Sequence, residues 1–239
     1  DLGYTFSNTD TEGLIQFGIA FVDSAGNSGD TVRSTTDNTY IIFDQTSPSD
    51  FTVGAASSIG GNAVDNIWNS TNTGLDIIVP IDSDTTLDSG RVQIWAKVGS
   101  NSFEMLGNSS FILTAEVGGT KTMSITGESV RQITGFAEND TITLKARLFD
   151  IPGNETVGNE SSTKLLIDET PPSLVSVSYE SDFSDSSLAT VGNVITLTFE
   201  TDVEILTPTT TISNNSANIS NLGSNRWSGA YTMQERDED

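Results

Sequence analysis

The sequence predicts an all-β chain of repeated sandwich-type modules, on three observations. Apolar and polar residues alternate over short stretches, turn-forming clusters separate those stretches, and one punctuated block occurs twice. In Thr141-Ile-Thr-Leu-Lys-Ala-Arg-Leu148 the even positions are apolar and the odd ones polar. That period of two buries one face of a strand and wets the other.

Taken in order, the strand signals are Leu14–Val22, Thr39–Phe43, Leu75–Val79, Arg91–Val98, Lys121–Ile125, Thr141–Phe149, Lys164–Ile167, Val194–Phe199 and Ala230–Met233. Turn clusters such as Ala25-Gly-Asn27, Gly60-Gly-Asn62 and Pro152-Gly-Asn154 lie between them. One helical turn is expected, around Gly127–Ile133.

Composition narrows the function. Ten Lys+Arg face 33 Asp+Glu, a net charge of −23. Such a field repels nucleic acid and anionic lipid and attracts cations, so nucleic acid is not an expected partner. Cysteine and histidine are both absent, which removes disulfides and counts against hydrolase triads and zinc sites. The longest apolar runs are as short as Ile77-Ile-Val79, so no membrane insertion is expected. The first residues carry no secretion signal and read as the middle of a longer parent chain.

The repeat is the most informative feature. Residues 14–48 and 141–172 each hold an alternating strand, then Asp-x-(Ala/Pro)-Gly-Asn, a polar stretch, a last strand and Asp-x-Thr-x-Pro. Asp23 matches Asp150 at a spacing of 127 residues, Asn27 matches Asn154, and Asp44 matches Asp168 at a spacing of 124. A second similarity aligns residues 231–239 with residues 4–12, setting Tyr231 on Tyr4 and Asp237 on Asp10. The expected organisation is therefore one complete module (49–172) between the last strands of a module (1–48) and the first strands of another (173–239). Half a sandwich exposes its interior and its edges. Three completions are open: an array extending beyond this stretch, strand exchange with another molecule, or closure within one chain.

The motifs Asp-Ser-Ala-Gly-Asn (23–27) with Asp-Gln-Thr-Ser-Pro (44–48), and Asp-Ile-Pro-Gly-Asn (150–154) with Asp-Glu-Thr-Pro-Pro (168–172), resemble bacterial immunoglobulin-like repeat domains. These belong to large surface adhesins and secreted multidomain proteins. The resemblance implies tandem immunoglobulin-like β-sandwiches, an extracellular place on the bacterial surface, and a structural or adhesive role without catalysis. It also implies, for some members, calcium near module junctions. Neighbouring modules or copies of the same chain are the implied partners, with surface or matrix polysaccharide a further one.

Two readings of the acidic corners stay open. Asp and Asn side chains close turns by binding nearby backbone N–H groups. Alternatively, carboxylates and carbonyls from adjacent loops hold calcium, which wants six to eight oxygens. The candidate ligands are Asp10, Glu12, Asp23, Asp44, Glu138, Asp140, Asp150 and Asp168. Asp82, Asp84 and Asp88 lack the glycine and closing glutamate of a calcium loop and read as a polar loop. Trp68, Trp95 and Trp227 raise a second function, a carbohydrate-binding accessory module, if they stack exposed on one face.

Overall fold

The computed structural model describes residues 3–235 and 237. The chain is mostly β-strand and divides into two compact units, Asp1–Glu169 and Thr170–Asp239.

The first unit opens with β1 (Gly13–Leu14), paired antiparallel with β2 (Ile42–Phe43). There follow β3 (Ala56–Ile59), β4 (Ile67–Asn69), β5 (Gly74–Pro80), β6 (Arg91–Val98), β7 (Glu104–Phe111) and β8 (Thr120–Thr126). A short helix α1 (Gly127–Arg131) precedes β9 (Thr141–Phe149), β10 (Glu155–Val157) and β11 (Leu165–Asp168). Thr126 caps α1 by accepting the Ser129 N–H.

Strands β3 to β11 form two sheets. One has the order β3-β5-β8; the other has the order β4-β11-β9-β6-β7, with β10 also on β9. Alternation decides what lies between them. Leu75, Ile77 and Val79 of β5 and Met123 and Ile125 of β8 share one buried cluster with Val92, Ile94 and Ala96 of β6 and Ile142, Leu144 and Leu148 of β9. The arrangement is sandwich-like, one apolar face of each sheet closing on the other. The outward positions of the larger sheet are polar or amphipathic: Arg147 lies 4.0 Å over the Trp95 ring, and Lys145 and Lys97 flank Phe103.

The second unit holds β12 (Leu174–Ser181), β13 (Val194–Thr201), β14 (Thr211–Ile212), β15 (Asn215–Ser216), β16 (Asn218–Gly223) and β17 (Arg226–Thr232). Four of them make an antiparallel sheet in the order β12-β13-β17-β16, and β14 and β15 form a separate ribbon.

Some boundaries differ from those read in the sequence. Residues 14–22 alternate as β9 does, yet only Gly13–Leu14 form a ladder, with isolated bridges at Ile19–Val32 and Val22–Ser28. β9 is paired on both edges, with β6 on one side and β10 and β11 on the other. Residues 14–22 have a partner along one edge only, which leaves ladder bonds unmade. β7 escaped the sequence reading because Gly107, at φ +70°, breaks its pattern where the β6–β7 register slips.

Candidate functional site

The two Asp-x-(Ala/Pro)-Gly-Asn corners are built alike. Asp23 Oδ1 accepts the N–H of Ala25 (2.9 Å) and of Asn27 (2.8 Å), while Oδ2 accepts Asn27 Nδ2 (2.8 Å). Asp150 Oδ1 accepts the N–H of Gly153 (2.8 Å) and of Asn154 (2.7 Å), and Oδ2 accepts Asn154 Nδ2 (2.8 Å). The carboxylate closes the turn while glycine supplies a positive φ, +90° at Gly26 and +102° at Gly153. The Asn27 side-chain amide, then its N–H, hold the exposed Asp23 carboxyl below the usual range.

The likeness continues along both hairpins. Leu14 pairs with Ile42 as Thr141 pairs with Leu166. Val22 bridges Ser28 as Phe149 pairs with Glu155. The Val32 N–H donates to Ile19 O (3.0 Å), and the Gly158 N–H to Ala146 O (2.9 Å). The Gln45 N–H donates to Glu12 Oε1 (2.9 Å), and the Glu169 N–H to Glu138 Oε2 (2.8 Å). Residues 12–45 and 138–169 thus follow one bonding plan.

A third correspondence joins a segment of the first unit to one of the second. Tyr4 Oη donates to Asp10 Oδ1 (2.7 Å), and Tyr231 Oη to Asp237 Oδ1 (3.1 Å). The Ser7 N–H donates to Asp10 Oδ2 (2.7 Å), and the Gln234 N–H to Asp237 Oδ2 (2.5 Å). Asp10 N–H returns to Ser7 O, and Asp237 N–H to Gln234 O, each at 3.1 Å. The Ser7 N–H, then the Tyr4 hydroxyl, hold Asp10 below its ordinary pKa. The rest of the sequence's terminal acidic run, apart from Glu235 and Asp237, lies outside the described residues.

The eight candidate ligands do not gather at one point. Among the described residues no group of three or more acidic side chains converges closely enough to share an ion. Asp23 and Asp150 spend their oxygens on their own turns, and Glu12 and Glu138 on the backbone after Asp44 and Asp168. Asp10 is held by Tyr4 and Ser7. Asp168 is exposed at the end of β11, beside Asn69 of β4. Asp140 is exposed, and its carbonyl accepts the Ile167 N–H.

Asp44 differs. Its Oδ1 accepts the Thr46 N–H (3.0 Å), and its carbonyl accepts Asn154 Nδ2 (3.3 Å). Its Oδ2 is buried and has no hydrogen-bond partner among the described residues. Asp44, Glu12 and Asp84 line one open cleft of about 540 Å³. The same corner brings the Ile151 N–H onto Thr86 O (3.0 Å), so the loops after β9 and before β6 meet there. Asp84 was read in the sequence as part of a polar loop, and it does cap the turn Thr85–Leu87 through the Thr86 N–H. Its place across the cleft from Asp44 depends on tertiary packing, which spacing cannot show.

The tryptophans divide. Trp68 is fully buried, its Nε1 donating to Glu169 Oε1 (2.9 Å) and its ring lying 5.0 Å from the Arg131 guanidinium. Trp227 is buried, and half-buried Trp95 is covered by Arg147. Among the described residues no helix is long and apolar enough to cross a membrane. Compared with known proteins, the chain matches no family model, no curated protein and no solved structure.

Proposed function

We propose that the chain is a structural segment of an extracellular bacterial surface fibre or repeat stalk, made of tandem immunoglobulin-like modules. The observation that carries this reading is the bond-by-bond recurrence of one hairpin, at 12–45 and 138–169. A chain that reuses one supersecondary unit in series is organised for length, not for a single cleft. The strand order supports the module type: β3-β5-β8 facing β11-β9-β6-β7 follows the order of an immunoglobulin-like sandwich, to which the larger sheet adds β4, parallel to β11 at its edge, and β10 on β9. The acidic, Cys-free and His-free composition fits a spacer with no catalytic step assigned to it.

Calcium belongs to this proposal at one place. Asp44 Oδ2 has no hydrogen-bond partner among the described residues, and Glu12 and Asp84 line the same cleft without converging on that oxygen. An ion there would take Asp44 as its one direct carboxylate and complete its shell with carbonyls and water. A carbohydrate-binding module finds less support, because two of its three tryptophans are buried and the third is capped by arginine.

Single-molecule pulling on the full chain tests the structural role. The expected record has one resisting event that releases residues 49–169, about 400 Å of extended chain at roughly 3.3–3.6 Å per residue. Unfolding at negligible force, or selective binding on a glycan array, contradicts it.

A further inference from the structure

We propose that the outer face of β6 and β9 binds an acidic stretch of polypeptide, rich also in apolar residues, on a partner protein. The inference does not depend on the modular reading above, since it concerns one face of one sheet.

Register defines the face. The outward side chains of β6 are Arg91, Gln93, Trp95 and Lys97. Directly across from them in β9 stand Phe149, Arg147, Lys145 and Thr143, in that order. Four of the chain's ten basic residues therefore share this face, while none of its 33 acidic residues occupies any of these positions.

The fold does not use up these cations. Glu160 pairs with Lys97 at 2.8 Å and Glu155 with Arg147 at 2.9 Å. Arg91 and Lys145 form no ion pair among the described residues, although 33 acidic groups stand against ten basic ones. They lie on aromatic rings instead, Arg91 at 5.8 Å from the Phe149 centroid and Lys145 at 4.2 Å from that of Phe103. A cation on a ring keeps its charge and its N–H donors for a further partner. The Lys97 ammonium, with Lys164 and Lys145 adding to it, holds the Glu160 carboxyl below its ordinary value, as a positive local potential requires.

The rim shows what kind of anion fits. Met105 of β7 pairs with Trp95, Phe111 of β7 with Arg91, and Val157 of β10 with Arg147, so all three border the same face. They are 48%, 66% and 46% exposed. Carboxylates alone would leave this apolar fringe in water, whereas a peptide mixing acidic and apolar side chains covers both. Trp95 already lies under Arg147, so its ring is not open for a sugar to stack on. From Arg91 to Lys97 the face runs about 20 Å, the length of roughly six extended residues. The net charge of −23 opposes any acidic partner at a distance, but at physiological salt that field is screened beyond about 8 Å and contact pairs survive.

The test titrates the isotope-labelled full chain with the end-blocked peptide Glu-Glu-Leu-Leu-Glu-Glu-Leu-Leu. When extended, it presents acidic and apolar side chains in turn on each side. The indole N–H resonances report binding, because Trp95 belongs to the face while Trp68 and Trp227 are buried off it. At about 0.15 M salt the Trp95 signal should move and saturate while the other two stay still. Near 1 M salt, where the screening length is about 3 Å, the movement should vanish. Arg91→Gln combined with Lys145→Gln should weaken binding by about tenfold or more. Arg33→Gln combined with Arg226→Gln removes as much charge away from the face and should leave binding nearly unchanged. Circular dichroism checks that both double variants fold, and the wild-type titration decides the matter even where one does not.

A Trp95 signal that stays still up to about 5 mM peptide overturns the proposal. So does equal movement with Gln-Gln-Leu-Leu-Gln-Gln-Leu-Leu, or equal weakening by the two double variants. A polyuronate that moves Trp95 at lower carboxylate concentration than the peptide assigns the face to polysaccharide and overturns it too. Oligomers of the chain alone that the Arg91 and Lys145 changes abolish assign it to a second copy, with the same consequence.

Discussion

Ile19 and Ala146 occupy the same position of the same hairpin, yet Ile19 is 54% exposed and Ala146 is fully buried. Each carbonyl accepts a backbone N–H from the returning strand, Val32 for one and Gly158 for the other. The local bonding is shared, and what differs is the sheet laid over it. Truncations should report that difference. Leu144→Ala should cost about 3 kcal/mol in urea unfolding, transfer and cavity terms together. Phe17→Ala, at the matching position but 39% exposed, should cost less, about 1 kcal/mol, because part of its apolar area is already in water.

The two acidic corners should respond unequally for the same reason. Asp150 is buried, Asn154 half-buried and Gly153 exposed, so Asp150→Ala removes charge-assisted hydrogen bonds from a partly buried turn, at a cost of about 2 kcal/mol. Asp23→Ala leaves the equivalent groups open to solvent and should lower the midpoint by less. Thermal denaturation of the two variants side by side checks the contrast.

Lys121 is buried and its Nζ lies 3.0 Å from Glu116 Oε2. Burial pushes the Glu116 carboxyl up, but the Leu113 N–H and the Lys121 ammonium outweigh it and leave it below its ordinary value. Glu116→Gln leaves an ammonium with no counter-charge and should destabilise by about 2 kcal/mol, discounted because the glutamate is partly exposed. Replacing the pair by Met and Gln should recover most of that loss, as a double-mutant cycle will show.

Acid should loosen the turns. The Asn27 amide lowers the Asp23 pKa, the Ser7 N–H that of Asp10, and the Ser173 N–H that of Asp202. A carboxyl whose folded pKa is depressed adds stability above its unfolded value, near pH 4, and loses it as pH falls through the folded value. Neutralising the acidic surface relieves repulsion in the opposite sense, so the measurement belongs at roughly 0.5 M salt, where that field is screened. Urea midpoints there should stay level from about pH 7 to 5 and fall below about pH 4.

Calcium should raise the melting temperature, and Asp44→Asn should abolish the rise. At a free concentration a hundredfold above the dissociation constant, the linked stabilisation is about 2.7 kcal/mol. An unchanged melt with calcium and with chelator removes the ion from the account.

Much of this was legible in the sequence because strands announce themselves by alternation. Arg91–Val98 and Thr141–Phe149 appear with the boundaries expected of them, since both are buried on one face and wet on the other. The Asp23/Asn27 and Asp150/Asn154 corners were equally visible, as their bonds run between residues four apart. The alignment of Tyr4 with Tyr231 and of Asp10 with Asp237 was visible too, but not the turn that each pair closes. Long-range facts were not legible. The orphaned oxygen of Asp44, its cleft with Glu12 and Asp84, and the Arg131 and Glu169 cover on Trp68 join residues far apart in the chain. β12 alternates Val175, Val177 and Tyr179 yet went unread, because serines fill its other face and dilute the apolar signal.

The central claim is that residues 12–45 form the same hairpin as residues 138–169. Cross-strand proton contacts in a nuclear magnetic resonance spectrum of the full chain test it most directly. The account predicts contacts between Leu14 and Ile42, Ile19 and Val32, and Val22 and Ser28, beside those between Thr141 and Leu166 and between Phe149 and Glu155. The second set without the first, or a first set shifted by one residue in register, contradicts it.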